Sequence, residues 1–350
     1  MSYMYKYVNL PKDRGLIKAV DAAASRLHEK LISAGVDTPY IDTRFRKKYL
    51  EFHLNVLPFK LTQSAYHVLW AVARCRKPLT EISLIDHGGA LGFIGMLAKE
   101  LGVGKVIYND INPEFLQVAQ RIAKAVGLEA DRYILGDVEN LVKELDGDVM
   151  DALVSYDVLE HIYNLDDFLA KLCSSSSCPR VLFMSSGANM FNPRYLSWVI
   201  LKQRELELLN CCKRIAIIRN YSADLCEEHI VSLSKKTRML LRSEIELVVD
   251  GYLKNKNLKL PKKKGINAYD PFGSNTVDHE TGWWGEHLFN PFYLSKQIRR
   301  YQFKVQIRLG YRYGRGVFLN PMMRVFPVVV ALPIASFYTI DAMRYSDNDF

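Results

Sequence analysis

The sequence predicts an α/β fold with a doubly wound, mostly parallel sheet, an N-terminal helical cap and a helical insertion. Between residues 82 and 184, five short apolar runs with the composition of strands alternate with helical segments. A glycine-rich turn follows the first of these runs and precedes a helix. Strands that alternate with helices form parallel sheets, because each helix returns the chain to the edge where the previous strand began.

The first eighty residues predict three helices. The helix over 13–34 places its apolar residues on one face, and Gly35 is suited to end it. A second helix is predicted over 42–56. A third runs from Thr62 and ends before Pro78, since proline lacks the N–H that a continuing helix needs. We interpret this part of the chain as an N-terminal helical cap.

The alternation of strands and helices occupies residues 81–190. Asn112 and Pro113 supply an N-cap and a first helical residue, and Gly127 follows the last turn of the same helix. The predicted strands are 82–86, 106–109, 132–135, 152–155 and 181–184, and the predicted helices between them are 93–101, 113–126, 138–145 and 165–172.

The pattern changes after residue 190. Residues 191–270 predict a mostly helical, basic insertion, whose lysine-rich end around Pro261 is expected to be a solvated loop. Within residues 271–350, strand-like runs at 303–308 and 336–340 are expected to close the sheet.

The strongest local feature is the turn over 86–92, with the sequence Asp-His-Gly-Gly-Ala-Leu-Gly. Glycines here allow a tight reversal and let a ligand lie against the backbone, while the next helix presents unpaired N–H groups. A nucleotide-like ligand is therefore expected at this turn.

An acidic residue follows at the right distance. Asp110 ends the second predicted strand 18 residues after Gly92, close to the roughly 20 expected for a ribose-binding acid. Its carboxylate can accept hydrogen bonds from both ribose hydroxyls. The alternative is a turn residue, since the sequence around Asn112 also begins a helix.

These residues resemble the class I methyltransferases, which use S-adenosylmethionine. The first motif of that family is an acidic residue, an apolar residue and then Gly-x-Gly-x-Gly. Segment 86–92 resembles it through Gly88 and Gly92, whereas Ala90 replaces the middle glycine and His87 replaces the apolar residue.

Three further matches follow in the family's order. Asp110 matches the ribose acid, and Gly136-Asp137-Val138 matches the segment that holds the adenine. Segment 156–162, Tyr-Asp-Val-Leu-Glu-His-Ile, resembles the one that lines the methionine end of the cofactor. The resemblance implies S-adenosylmethionine as cofactor, bound by Asp86, His87, Gly88, Gly89, Ala90, Gly92, Asp110, Ile111, Asp137, Val138, Ser155 and Tyr156.

Nicotinamide binding is a weaker interpretation of the same turn. A G-x-G-x-x-G motif that starts at Gly88 requires glycine at position 90 and glycine or alanine at position 93. The chain has Ala90 and Phe93 instead, so a dehydrogenase is disfavoured.

Three residues are candidates for catalysis. His161 is suited to act as a general base on the acceptor, or else is a structural residue of a turn. Glu286 and His287 follow Trp283 and Trp284 in segment 278–287, as polar groups beside an aromatic wall.

Segment 281–287 is expected to form part of the acceptor site and to close over the cofactor. Gly282 and Gly285 would act as hinges, with one tryptophan facing the core and the other the site. The alternative is that both tryptophans pack a late helix onto the sheet. No standard metal-ligand spacing is present, so no metal is expected.

The resemblance to the small-molecule branch implies an acceptor oxygen or nitrogen on a small molecule or glycan precursor. The net charge of +9 favours the alternative of an RNA methyltransferase, but the lysine run lacks the interleaved aromatics of RNA-binding surfaces, so nucleic acid is not expected. A third alternative is a non-catalytic nucleotide-binding protein of this fold.

Six cysteines without a C-x-x-C pair indicate free thiols and a cytoplasmic protein. The most apolar stretch, 325–340, is interrupted by two prolines and is too short for a transmembrane helix. Peripheral membrane contact and the oligomeric state stay open.

Overall fold

A computed structural model describes residues 9–34, 56–255, 260–261, 270, 272–309, 327–335 and 338–345. In this part of the chain, seven strands form one sheet in the order β3-β2-β1-β4-β5-β7-β6. The strands are β1 Ser83–His87, β2 Lys105–Asp110, β3 Arg132–Leu135, β4 Ala152–Tyr156, β5 Val181–Ser186, β6 Phe303–Leu309 and β7 Tyr338–Arg344.

Strands β1 to β5 are all parallel, as the alternation of strands and helices predicts. Strand β7 is antiparallel to β5 and lies between β5 and β6. The mostly parallel α/β fold class is therefore confirmed. The strand order reverses between β1 and β4, and open sheets of this kind bind ligands at the carboxyl ends of the strands around that point.

The final strand differs in extent from the sequence prediction. It was expected to end at residue 340, but it continues to Arg344. The reason is that it pairs with β6 along its whole length and with β5 as far as Met343, so four further residues are held in the ladder. A sequence pattern alone does not reveal that second neighbour.

Helices cover both faces of the sheet. They are α1 Arg14–Ser33, α2 Leu57–Cys75, α3 Phe93–Leu101, α4 Pro113–Val126, α5 Val138–Leu145, α6 Leu165–Ser174, α7 Pro193–Tyr221, α8 Glu227–Lys236, α9 Arg242–Asn255, α10 Pro291–Arg299 and α11 Val328–Ala331. One apolar core lies between the sheet and the face covered by α1 to α4, and a second lies on the opposite face under α5, α6 and α10.

Helix α2 begins earlier than the sequence suggested. It starts at Leu57 instead of Thr62, because Pro58 occupies the first turn, where its missing N–H removes no helical hydrogen bond. The helix predicted over 42–56 lies almost wholly outside the described residues, as does most of the lysine-rich loop. Among the described helices, none has the length and hydropathy required to cross a membrane.

Candidate active site

The turn after β1 is built from residues with left-handed backbone conformations. Gly88, Ala90 and Gly92 have φ angles of 63°, 47° and 76°. The N–H groups of Gly88 and Gly89 donate to the carbonyl of Asn109 at 2.8 and 3.2 Å. The turn is therefore fixed to the end of the neighbouring strand β2.

Two glycines of this turn are required by close neighbours. A Cβ on Gly88 would lie 2.4 Å from a methyl group of Val158, and a Cβ on Gly89 would lie 2.5 Å from the ring of Tyr108. Neither position has room for a larger residue without a shift of its neighbour. The turn thus passes unusually close to the end of β2 and to the segment after β4.

Ala90 keeps its left-handed conformation because two side chains hold its peptide groups. Its N–H donates to Asp110 Oδ2 at 2.9 Å, and its carbonyl accepts from the Tyr108 hydroxyl at 2.6 Å. The other carboxylate oxygen of Asp110 accepts from the N–H of Asn112 at 2.8 Å. Burial raises the pKa of Asp110. This placement is compatible with both interpretations of Asp110. As a turn residue it shapes the backbone, and as a ribose-binding acid it lies beside the glycines.

Asp86 lies below the turn, at the base of α3. Its Oδ2 accepts from the N–H of Gly95 at 2.9 Å, whereas its buried Oδ1 has no hydrogen-bond partner among the described residues. Burial raises the pKa of this carboxyl to about 7, against the lowering effect of the Gly95 hydrogen bond.

The side chain of His87 points to the other face of the sheet. Its Nδ1 lies 2.7 Å from Asn109 Oδ1, and its ring lies 5.1 Å from that of Phe168. Burial lowers the pKa of His87 to about 4, so the ring is neutral. Only its backbone borders the turn, because neighbouring residues of a strand face opposite sides.

The residues predicted to surround the adenine lie at the ends of β2 and β3. Asp137 Oδ1 accepts from the N–H groups of Glu139 and Asn140 at 2.9 and 3.2 Å, which makes it the N-cap of α5. Val138 is buried, and Ile111 is 63% exposed despite its apolar side chain.

Ser155 and Tyr156 end β4. Ser155 is fully buried, and its hydroxyl has no hydrogen-bond partner among the described residues. The Tyr156 hydroxyl accepts a hydrogen bond from the side-chain amide of Gln63 in α2. Lys60, one turn earlier in α2, places its ammonium 5.4 Å from the centre of the Tyr156 ring. The N-terminal helical cap therefore reaches the carboxyl end of β4.

Beyond β4 lies a group of three carboxyls, which we call the carboxylate cluster: Asp157, Glu160 and Glu286. Burial raises the pKa of all three carboxyls, most strongly that of Glu160. Repulsion from Asp157 and Glu286 adds to the effect at Glu160. Asp157 and Glu286 have φ angles of 53° and 64°, a left-handed conformation that is uncommon for non-glycine residues.

The polar neighbours of the carboxylate cluster come from distant elements. Asp157 Oδ1 accepts from the N–H of Gly187 at 3.0 Å, and Glu286 Oε2 accepts from the Tyr195 hydroxyl of α7 at 3.2 Å. One oxygen of Glu160, a residue only 1% exposed, has no hydrogen-bond partner among the described residues.

His161 follows the cluster but points elsewhere. Its Nδ1 donates to the carbonyl of Trp284 at 2.9 Å, and its ring stacks on that of Trp283 at 4.6 Å. Burial lowers the pKa of His161, so the ring is neutral. Trp284 is fully buried, whereas Trp283 is 41% exposed. The two tryptophans thus face opposite ways, as the sequence predicts for adjacent residues.

Segment 281–287 is attached to the turn after β4. The N–H of Trp284 donates to the carbonyl of His161 at 3.3 Å, and that of His287 donates to the carbonyl of Glu160 at 3.0 Å. The His287 ring is fully buried and lies 4.9 Å from the rings of both Trp284 and Phe289. Of the three catalytic candidates, only Glu286 therefore joins the carboxylate cluster.

Sequence reasoning did not single out Asp157, Glu160, Lys60 or Tyr195 as site residues. The first two lie inside the motif quoted for 156–162, and their spacing places both at the carboxyl end of β4. Lys60 and Tyr195 carry no such signal, since only the packing of α2 and α7 brings them here. No group of three or more potential metal ligands was found in the part of the chain that the structure describes.

Comparison with known proteins assigns the domain. Residues 85–174 match the family model described as "Methyltransferase domain". This segment contains the glycine turn, Asp110, Asp137 and two members of the carboxylate cluster. No curated protein is significantly similar to the chain in sequence.

Several solved structures are similar to this chain. The CurJ carbon methyltransferase is 13% identical, with 93% of this chain and 67% of that chain covered and a TM-score of 0.44. The magnesium protoporphyrin IX methyltransferase of Synechocystis PCC 6803 with bound SAH is 13% identical, with 93% of this chain and 97% of that chain covered and a TM-score of 0.38. The plantazolicin methyltransferase BpumL in complex with SAH is 12% identical, with 93% of this chain and 99% of that chain covered and a TM-score of 0.40.

The family match falls on the segment whose turn, acidic residue and strand ends form the site described above. Residues 85–174 therefore match a methyltransferase domain, a class of domain whose cofactor is S-adenosylmethionine.

Proposed function

We propose that the protein transfers a methyl group from S-adenosylmethionine to an oxygen or nitrogen of a small molecule or glycan precursor. The observation that carries the proposal is the pair formed by Ala90 and Asp110, which joins the glycine turn and the ribose acid into one surface at the carboxyl ends of β1 and β2. Ligands of open α/β sheets bind at this edge.

The residues present fit this cofactor. Asp110 would bind the ribose hydroxyls, since its carboxylate lies at the end of β2 beside the turn. Gly88 and Gly89 would let the methionine portion lie against the backbone, as neither has a side chain. The buried hydroxyl of Ser155, which lacks a partner among the described residues, is a further polar contact for that portion.

The adenine would lie against Ile111 and Val138. An exposed isoleucine at the end of a strand offers an apolar surface for an aromatic ring, and Ile111 is 63% exposed. Asp137 would contribute through its backbone and its second carboxylate oxygen, because Oδ1 already caps α5. The remaining turn residues, Asp86, His87, Ala90 and Gly92, would shape the pocket more than contact the cofactor.

The acceptor would bind between β4, α7 and segment 281–287. When bound, the cofactor supplies an already activated methyl group, so the protein accelerates the transfer chiefly by alignment and exclusion of water. Glu286 is placed to orient the acceptor, since it lies in the carboxylate cluster. His161 would keep segment 281–287 in position through Trp283 and Trp284, and the His287 ring would support it from the core.

Calorimetry with S-adenosylmethionine, S-adenosylhomocysteine and NAD tests the proposal. We expect the first two to bind and NAD not to bind. NAD binding in place of S-adenosylmethionine would support a dehydrogenase, and binding of neither would support a protein that kept only the fold. We also propose that the protein works in a reducing compartment, the cytoplasm, since its six cysteines have free thiols.

A further inference from the structure

The carboxylate cluster contains more negative charge than the described residues neutralise. Lys60 attracts Asp157, and Lys202 attracts Glu286. The principal influences on the pKa of Glu160, the most enclosed of the three carboxyls, are burial and the charges of Asp157 and Glu286, and none of them is a cation of the described residues. Among the described residues, the charged groups around the cluster are thus three acids and two half-buried lysines.

The remaining titratable groups that face the cluster are neutral. Burial lowers the pKa of His161, and burial raises the pKa of Tyr195 and Tyr338 far above neutrality. The phenols can therefore donate hydrogen bonds, but they supply no positive charge. Charged groups that are buried without a partner are costly, so the cluster must take up protons or a cation.

Two buried polar atoms indicate where a ligand would bind. One carboxylate oxygen of Glu160 and the hydroxyl of Tyr338 are buried, and neither makes a hydrogen bond of good geometry among the described residues, although the Ser186 side chain lies close to both residues. Both residues are less than 2% exposed, and the charge of Glu160 acts on Tyr338. Buried polar atoms are almost always hydrogen-bonded in folded proteins, so such a pair suggests a bound polar group.

We propose that the carboxylate cluster is the acceptor subsite and that it takes a protonated amine, with Glu160 as its principal contact. This inference rests on the proposed function and narrows it to nitrogen as the methylated atom. An ammonium group supplies positive charge and up to three hydrogen-bond donors, of which one would go to the unpartnered oxygen of Glu160. An alcohol supplies one donor and no charge.

The same carboxylates can prepare the amine for transfer. The ammonium group gives one proton to a carboxylate of the cluster, and the raised pKa of Glu160 suits that carboxylate to hold it. The lone pair of the neutral nitrogen then forms the new bond to the methyl carbon while the carbon–sulfur bond breaks with its electron pair on sulfur. The positive charge passes from sulfur to the methylated nitrogen, and the carboxyl later returns its proton to solvent.

The test uses pairs of amines and alcohols of the same shape: n-butylamine with n-butanol, and benzylamine with benzyl alcohol. Dissociation constants are measured by saturation-transfer NMR on the full chain, with and without S-adenosylhomocysteine. Calorimetry in two buffers of different ionisation enthalpy counts the protons released on binding. We expect each amine to bind roughly 10- to 100-fold more tightly than its alcohol, with net proton release.

Two variants of similar shape locate the site. The two variants are Glu160→Gln and Glu286→Gln, which lie in separate segments. Each should remove most of the preference for the amine and reduce proton release. Glu228→Gln, an exposed residue in α8, is the matched control and should change neither. If Glu160→Gln does not fold, Glu286→Gln alone decides the result.

The outcomes separate this inference from the proposed function. Equal binding of amines and alcohols, or an unchanged preference in folded Glu160→Gln and Glu286→Gln variants, would overturn the amine subsite even if S-adenosylhomocysteine binds. Loss of S-adenosylhomocysteine binding in those variants, without loss of amine preference, would assign the carboxyls to the cofactor's own amino group and also overturn it. Failure of the wild type to bind the cofactor product would instead refute the proposed function.

Discussion

The backbone N–H of Ala90 and the carboxylate of Asp110 are joined by a 2.9 Å hydrogen bond. The middle of the glycine turn is thereby held by the residue that ends the neighbouring strand. Because the second oxygen of Asp110 accepts from Asn112, the same carboxylate also fixes the beginning of α4. A change at Asp110 should consequently affect the shape of the turn as well as any ribose contact.

We predict that Asp110→Asn weakens S-adenosylmethionine binding roughly 10- to 100-fold while the chain stays folded. An amide keeps one oxygen for Ala90 but loses the charge that strengthens hydrogen bonds from ribose hydroxyls, and such bonds contribute about 1.5–3 kcal/mol. Calorimetry measures the affinity, and thermal unfolding checks the fold. Asp224→Asn, an exposed aspartate, is the matched control. Unchanged affinity in a folded Asp110→Asn variant would place the ribose elsewhere.

The turn also predicts opposite effects at Ala90 and Gly88. Ala90→Gly should bind the cofactor at least as tightly as the parent and change stability by less than about 1 kcal/mol, because relief at φ 47° is offset by the greater freedom of glycine in the unfolded chain. Gly88→Ala should destabilise by roughly 1–3 kcal/mol, since its Cβ would overlap Val158. Denaturant unfolding and calorimetry measure both; a large loss of affinity in Ala90→Gly would mean that the turn is not the cofactor site.

The glycine turn and Asp110 could be predicted from sequence because their spacing along one strand-turn-helix unit is local. The parallel sheet was predictable for the same reason, and the fold class is confirmed. The carboxylate cluster was not predictable, because Asp157 and Glu286 are far apart in the chain and meet only when segment 281–287 packs on the turn after β4. The contact of the His87 ring with Phe168 was not predictable either, since α6 packs beside His87 only in the folded sheet.

We predict that Asp86→Asn gains stability relative to the wild type as the pH rises from 5 to 8. The folded pKa of Asp86 is raised from 3.8 to about 7, so between these values the folded chain holds a proton that the unfolded chain lacks. Stability from this group is therefore lost as the pH rises towards 7. Asparagine has no such titration and can still accept from Gly95. Urea unfolding at both pH values should show a relative gain of at least about 1 kcal/mol; the same difference at pH 5 and 8 would contradict the burial of this carboxyl.

We predict that His161→Ala lowers kcat while cofactor affinity stays nearly unchanged. A general base contributes about 10²- to 10⁴-fold, whereas loss of the hydrogen bond to Trp284 and the stack on Trp283 would act through the position of segment 281–287. Trp283→Leu separates the two roles, because it removes the stack and keeps the imidazole. A fall in kcat in both variants supports positioning, and a fall in His161→Ala alone supports a base. Full activity in His161→Ala would leave the residue without either role.

The last prediction separates Glu286 from its neighbour His287. Glu286 is half-buried and its carboxylate accepts from Tyr195, so Glu286→Gln keeps the shape of the segment and removes only charge. We expect Glu286→Gln to raise KM for the acceptor or to lower kcat, with cofactor affinity and thermal stability nearly unchanged.

His287 is fully buried between the rings of Trp284 and Phe289, so His287→Ala should instead lower the free energy of unfolding by roughly 2–4 kcal/mol, as loss of a packed ring does. Steady-state kinetics with the true acceptor and denaturant unfolding measure the two effects. Wild-type kinetics for Glu286→Gln would move the acceptor away from segment 281–287, and an unchanged unfolding energy for His287→Ala would show that its ring is not packed in the core.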